Sequence, residues 1–264
     1  MHKMPELLAP AGNMEKLRAA VRYGADAVYF AGKAFGMRAA ADNFSIEELR
    51  EAVKYAHERD VRVYLTLNTM PREYEYPLLR KYIEDIADIP VDAMIIADIG
   101  AASEVKKRIP IELHASTQMT IHNLDGARLA KELGFTRAVL SRELSFAEIK
   151  NISQNVDIEL EVFVHGALCM SYSGQCLMSS FLGARSGNRG ACAQPCRLPY
   201  TLCDMAKKPL TPKDKYLLSL KDLCLIDEME TLRNCNVRSL KIEGRMKSSE
   251  YVSVVTSMYN KYRN

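Results

Sequence analysis

The first 168 residues of this 264-residue chain contain no cysteine, and all seven cysteines of the sequence fall after that point. No hydrophobic run approaches membrane-spanning length. The longest apolar stretches, such as Ala93 to Ala97, fall far short of the roughly 20 residues a spanning helix needs, so no membrane segment is expected. The start, Met1-His2-Lys3-Met4-Pro5, lacks the apolar core of a secretory signal, which makes the cytoplasm the expected compartment. A His-Glu-x-x-His helix and a Gly-x-Ser-x-Gly elbow are both missing, which excludes those two hydrolase designs. An odd cysteine count in a reducing compartment also argues against a disulfide framework.

What is present is an ordinary globular composition, 48% hydrophobic and 26% charged, with uneven charge. Residues 169–264 hold 15 Lys and Arg against 8 Asp and Glu, whereas residues 1–168 hold 21 against 25. A basic region beside clustered cysteines fits a polyanionic partner such as RNA, and equally a solvated basic surface.

The first two-thirds alternate β-rich runs with amphipathic stretches. Strands are expected at Glu6–Ala9, Ala27–Ala31, Arg62–Leu67, Ala93–Ala97, Ile111–Ala115, Ala138–Ser141, Ile158–His165 and Ser239–Glu243. Helices fall between them, near Met14–Tyr23, Ile46–Glu58, Tyr76–Ile86, Ala101–Arg108, Asn123–Leu133 and Phe146–Asn151, with a last one over Ser249–Tyr262. Ser45 with Glu48, and Ser145 with Glu148, have the spacing of capping boxes. Gly24 and Gly134 are placed as helix-ending glycines. Eight strands in βα alternation imply an α/β fold, a (β/α)8 TIM-like barrel spanning 1–264, with an open doubly wound sheet as the alternative. Between the seventh and eighth strands, residues 166–238 break the rhythm as a cysteine-rich insertion, and an insertion of that length is usually functional.

The insertion carries Cys169, Cys176, Cys192 and Cys196, spaced Cys-x6-Cys-x15-Cys-x3-Cys. Four thiolates can wrap an iron–sulfur core, and Gly174, Gly183, Gly187 and Gly190 would let the chain turn tightly around it. Structural zinc competes, although only Cys192 and Cys196 have knuckle-like spacing, and unliganded thiols are the third reading. Cys203, Cys224 and Cys235 are spares, of which Cys224 could replace Cys196 as fourth ligand.

In a barrel the strand C-termini carry the chemistry. Those ends present Asn68, Asp98, His114, Gln118, Arg142, Glu143, His165, Glu243 and Arg245, with Glu161 inside the seventh strand. His165, Glu161 and Glu243 are the catalytic candidates, as groups able to move protons. Asn68, His114, Gln118, Arg142 and Arg245 are the substrate-binding candidates, the arginines suited to an anion. Each has a structural alternative. Glu161 or Glu243 could simply pair with Arg245, because a buried carboxylate is costly unless paired.

The stretch Glu161-Val-Phe-Val-His-Gly-Ala-Leu-Cys-Met-Ser-Tyr-Ser-Gly-Gln-Cys176, with Asn188-Arg-Gly-Ala-Cys192, closely resembles the signature of the collagenase-like peptidase family U-32. Leu7-Leu-Ala-Pro-Ala-Gly-Asn-Met-Glu, Gly24-Ala-Asp-Ala-Val-Tyr-Phe and Ser239-Leu-Lys-Ile-Glu-Gly-Arg-Met-Lys-Ser are similar to the same family. The resemblance is closest to a branch tied to oxygen-independent hydroxylation of tRNA wobble uridine to 5-hydroxyuridine. It implies a 4Fe-4S cluster on Cys169, Cys176, Cys192 and Cys196, prephenate as a small anionic metabolite, and tRNA or another RNA as partner. Other branches hydroxylate a ribosomal cytidine or act in ubiquinone synthesis, and the family name implies a peptidase. The RNA branches often continue into a small β-rich domain not found in this sequence, so a paralogous partner subunit is a further expectation. A non-catalytic scaffold with a structural metal is the remaining class.

Overall fold

The computed structural model describes residues 4–37, 42–212 and 215–263. Eight parallel strands form a ring: β1 (Glu6–Pro10), β2 (Ala27–Phe30), β3 (Arg62–Leu67), β4 (Ala93–Ile96), β5 (Glu112–Ala115), β6 (Arg137–Val139), β7 (Glu159–Gly166) and β9 (Ser239–Ile242). The last of these pairs with β7 on one side and β1 on the other, so the sheet closes. That closure selects the barrel over the open sheet. A two-residue strand, β8 (Leu223–Cys224), lies antiparallel against the end of β7.

The helices are α1 (Met14–Arg22), α2 (Ile46–His57), α3 (Tyr76–Asp85), α4 (Ile99–Lys106), α5 (Leu124–Glu132), α6 (Phe146–Asn155), α7 (Met178–Gly183), α8 (Met229–Asn234) and α9 (Ser249–Tyr262). Both expected capping boxes form, and Gly24 and Gly134 take φ of +94° and +79° at their helix ends.

Strand pleating sorts the apolar residues into two buried layers. Leu7, Ala9, Val28, Phe30, Val63 and Leu65 face the helices, whereas Leu8, Tyr29, Tyr64, Ile95, Val139 and Phe163 fill the barrel. Burial on both faces explains why the strands read as continuous hydrophobic runs. Each large aliphatic side chain so buried contributes about 1.5–3 kcal/mol.

Three of the differences from the sequence expectation have a cause in side-chain bonding. The sixth strand begins at Arg137, because that side chain finds partners inside the barrel. Asp98 is no free mouth residue: its carboxylate caps α4, accepting the Ala101 N–H at 2.7 Å and the Tyr76 hydroxyl at 3.0 Å. And α6 runs on to Asn155, because Ser153 and Asn155 bond back to the carbonyls of Lys150 and Asn151 instead of breaking the turn. Within residues 166–238, α8 buries Met229 and Leu232 in the outer layer, as the crossover helix into β9.

Candidate active site

The barrel floor is a buried ionic lattice. Arg137, only 1% exposed, donates to Glu6 at 2.7 Å, to Glu161 at 3.2 Å and to Glu159 at 2.6 and 3.0 Å. Lys241 donates to the other Glu161 oxygen at 2.8 Å, and Tyr64 and Ser239 both donate to Glu6. Burial alone would raise the Glu161 carboxyl, but Lys241 and then Arg137 outweigh it and hold it down at about 2. Such a group carries no proton at neutral pH. Glu161 is thus the counter-charge of Lys241 and Arg137 beneath the site, the expected structural pairing with these two cations in place of Arg245.

The linkage follows from that depression. A carboxyl whose folded value lies below its ordinary 4.5 contributes stability that is complete above pH 4.5 and lost as pH falls towards 2. Urea melts across that window should show the loss, and an E161M/K241M double variant should show less of it.

Above the floor lies the mouth. The Arg142 guanidinium stacks on the Phe163 ring at 3.8 Å and reaches Glu243 Oε2 at 3.5 Å. Arg245 is buried and donates to Thr66 Oγ1 at 3.3 Å. Arg142, Glu243 and Arg245 thus line the end of the barrel set by β6, β9 and β3. The other candidates are placed differently. Asn68 accepts the Met37 N–H at 3.1 Å, which ties it to the β2 loop. His114 sits inside the barrel, edge-on to Tyr64 at 4.8 Å. Burial keeps its imidazole neutral, and its Nδ1 has no hydrogen-bond partner. Gln118 lies in a tight turn after β5, where its carbonyl backs onto Gly174. A register shift in β7 between Phe163 and His165 sets the His165 ring between Tyr251 and Tyr259 of α9, with Nδ1 3.5 Å from the Tyr259 hydroxyl. Burial lowers its proton affinity, so it is a neutral base at pH 7.

The cysteine segment is fastened over this mouth by the loops it covers. Ser173 donates from both N–H and hydroxyl to Glu143, at 2.8 and 3.0 Å, and Thr120 donates to the Ser173 carbonyl at 2.8 Å. Arg189 forks onto Glu75 at 2.6 and 2.8 Å. Arg197 joins loops within the segment, donating to the carbonyls of Leu168 and Leu220, both at 2.7 Å. It thereby ties the turn bearing Cys196 to the turn bearing Cys169. Burial first, and then the proximity of Cys169, Cys192 and Cys176, raises the Cys196 thiol, against the pull of Arg197. Cys169, Cys176 and Cys192 thus all lie within electrostatic reach of the Cys196 thiol. Cys224 lies opposite His165 on β8, 4.0 Å from the Tyr259 hydroxyl. Among the described residues, no three His, Cys, Asp or Glu side chains converge tightly enough to grip a single ion.

Gly174 is where the segment comes closest to the barrel. Its φ is +78°, and an added Cβ would stand 2.5 Å from the Gln118 carbonyl oxygen. Gly174→Ala should therefore cost about 1–3 kcal/mol and loosen the segment. Faster limited proteolysis between residues 170 and 200, with the barrel intact, is the expected readout.

The residues missed by sequence reasoning are Glu6, Arg137 and Lys241. A signal existed for one of them: Ser239, Lys241 and Glu243 share a strand face, which makes Lys241 inward-facing whenever Glu243 is. An open cavity of about 430 Å³ lies at the opposite, N-terminal face of the barrel. Its arginines are already spoken for, Arg62 by Glu6, Arg263 by Asp26 and Arg238 by Glu159. That face carries stability.

Residues 12–264 match the family model described as peptidase family U32. The chain belongs to that family. A U32 relative, "tRNA hydroxylation protein P1" of Bacillus subtilis, is 42% identical over 98% of this chain and 63% of its own length. The "23S rRNA 5-hydroxycytidine C2501 synthase" of Escherichia coli is 42% identical over 96% of this chain and 38% of its own. The chain thus spans less than two-thirds of the length of these curated relatives. A solved U32 peptidase structure superposes with a TM-score of 0.60 over 92% of this chain and 93% of its own, at 14% identity, which supports the barrel fold alone. Among the described residues, no helix of this U32 chain is long and apolar enough to cross a membrane.

Proposed function

We propose that this U32 protein takes part in oxygen-independent hydroxylation of RNA, with tRNA wobble uridine as substrate and 5-hydroxyuridine as product. The observation that carries the reading is the gathering of Cys169, Cys176, Cys192 and Cys196 in one segment tied over a mouth lined by Arg142, Glu243 and Arg245. Relatives whose names specify tRNA hydroxylation and rRNA hydroxycytidine synthesis support it.

The donor set fits a 4Fe-4S cluster better than zinc. Four thiolates around one zinc stand only about 3.8 Å apart, as 2.3 Å bonds in a tetrahedron require. Here only Cys192 and Cys196 have zinc-knuckle spacing, while Cys169, Cys176 and Cys192 all act on the Cys196 thiol, which supports a cubane on the four. When bound, the cluster would supply electron-transfer and Lewis-acid chemistry. The chain's own residues do the rest. Arg142 and Arg245 hold a small anionic co-substrate, for which prephenate is the candidate, and Phe163 keeps the Arg142 guanidinium flat. Glu243 orients Arg142 and can exchange a proton with the bound acid. His165, neutral through burial, offers a base four residues before Cys169. Glu161 and Lys241 hold the floor's charge constant while this happens. The experiment is gene deletion followed by nucleoside mass spectrometry. Loss of 5-hydroxyuridine derivatives from tRNA is expected; an unchanged tRNA profile would overturn the substrate assignment.

A thiol peptidase is the second reading, and one observation favours it. The Tyr259 hydroxyl lies 3.5 Å from His165 Nδ1 and 4.0 Å from Cys224 Sγ, so a thiol and an imidazole share one hydroxyl. On this reading Cys224→Ala abolishes peptide cleavage and leaves tRNA nucleosides unchanged.

A further inference from the structure

From Val162 to Cys203 the sequence contains no Asp or Glu. The same stretch exposes side chains that a folded protein usually covers. Phe181 of α7 is 84% exposed, Leu182 66% and Tyr172 61%, and Leu177 is exposed beside them. Scattered single apolar residues on a surface need no explanation, but neighbours on one short helix and its approach do. The helix packs against the turns at Gly187–Arg189 and Pro195–Arg197, which places α7 beside the loops bearing Cys192 and Cys196. On the other side of Cys176, the Tyr172 ring stands 6.3 Å from the His122 ring, which extends the aromatic surface towards the β5 loop.

Charge decides what fits there. Arg189 and Arg197 are the two arginines of this stretch consumed as internal clamps. Arg185 remains, bonded only through Nε to the Ala191 carbonyl. Neither Arg185, Lys207 nor Lys208 makes an ion pair within the described residues, and all three are exposed. The exposed aromatic faces and Arg185 lie in a stretch without carboxylates, and in the Lys207–Lys208 turn the one carboxylate, Asp204, is taken up by the N–H groups of Ala206 and Lys208. Such a surface matches unpaired nucleotides, whose bases stack while their phosphates take the cations.

We propose that α7 and the Tyr172 turn form a stacking platform for single-stranded RNA, with Phe181 as its principal face and Arg185, Lys207 and Lys208 as phosphate contacts. The inference rests on the RNA reading above and adds to it where the strand lies, next to the cysteine quartet.

The test uses the whole chain, purified anaerobically, and fluorescence anisotropy with a single-stranded oligouridylate of about ten nucleotides and a duplex of equal length. Phe181→Ala should weaken single-strand binding by about fivefold or more, Phe181→Trp should keep it within about twofold, and Leu182→Ser should lie between. Removing Arg185, Lys207 and Lys208 together should flatten the salt dependence of binding. Equal affinity for duplex and single strand, or no change in Phe181→Ala, would overturn the platform. So would sedimentation showing that Phe181→Ala dissolves a dimer while RNA affinity is kept, since the face would then serve a second copy. The two readings fail separately. Lost 5-hydroxyuridine on deletion with unaltered binding by Phe181→Ala would sink the platform alone. An unchanged nucleoside profile with weakened binding would sink hydroxylation alone.

Discussion

Replacing Glu161 by alanine should cost the fold about 3–5 kcal/mol, among the largest effects available to a single substitution here. The carboxylate has no exposed surface and is the direct counter-ion of Lys241 at 2.8 Å, while also answering Arg137 at 3.2 Å. Its removal leaves Lys241, itself buried against the Tyr29 ring at 4.3 Å, without a carboxylate partner at that distance, so that the amine either holds an uncompensated charge or gives up its proton, and both cost stability. Arg137 suffers less, because Glu6 and Glu159 remain on it. The expected remedy follows from that asymmetry. An E161M/K241M double variant removes both ends of the pair and fills the same space, so it should recover most of the loss. Urea denaturation of wild type, E161A and the double variant measures all three terms. If E161A were no less stable than wild type, the lattice would not be holding the floor.

The second large effect concerns the cysteines. Serine at Cys169, Cys176, Cys192 or Cys196 should abolish cluster loading, because a cubane held by four thiolates loses a ligand each time. Anaerobically purified wild type should carry about four iron and four sulfide per chain, with broad visible absorbance. Each of the four variants should lose most of both. Cys224→Ser and Cys203→Ser should keep both, since Cys224 pairs across to His165 and lies outside the quartet. Retention of iron in Cys196→Ser together with its loss in Cys224→Ser would reverse the assignment of the fourth ligand.

The barrel was legible because its signals are local. Capping serines, left-handed glycines and apolar runs of strand length each act within a few residues, and they agree with one another along the chain. The mouth was legible in outline, since strand ends follow from strand positions, and Arg142, Glu243 and Arg245 do lie there. What stayed hidden depends on partners far apart in sequence. Glu161 reads as a costly buried carboxylate, and nothing nearby reveals that Lys241, eighty residues on, neutralises it. Arg137 looks like a polar residue ahead of a strand until the closed ring brings Glu6 to it from the other end of the chain. Arg197 and Arg189 read only as part of a basic region until Leu168 and Glu75 are seen to occupy them. What surrounds His165 stayed hidden for a subtler reason. A shift in strand register accompanies the seating of its ring between Tyr251 and Tyr259, and no residue type in Val-Phe-Val-His announces it.

The most direct measurement is nucleoside mass spectrometry of tRNA from the deletion strain complemented with wild type, Cys196→Ser or Cys224→Ser. Wild type and Cys224→Ser should restore 5-hydroxyuridine derivatives, and Cys196→Ser should leave them absent. Full restoration by Cys196→Ser, at matched protein levels, would contradict the assignment of the cysteine quartet as the working centre.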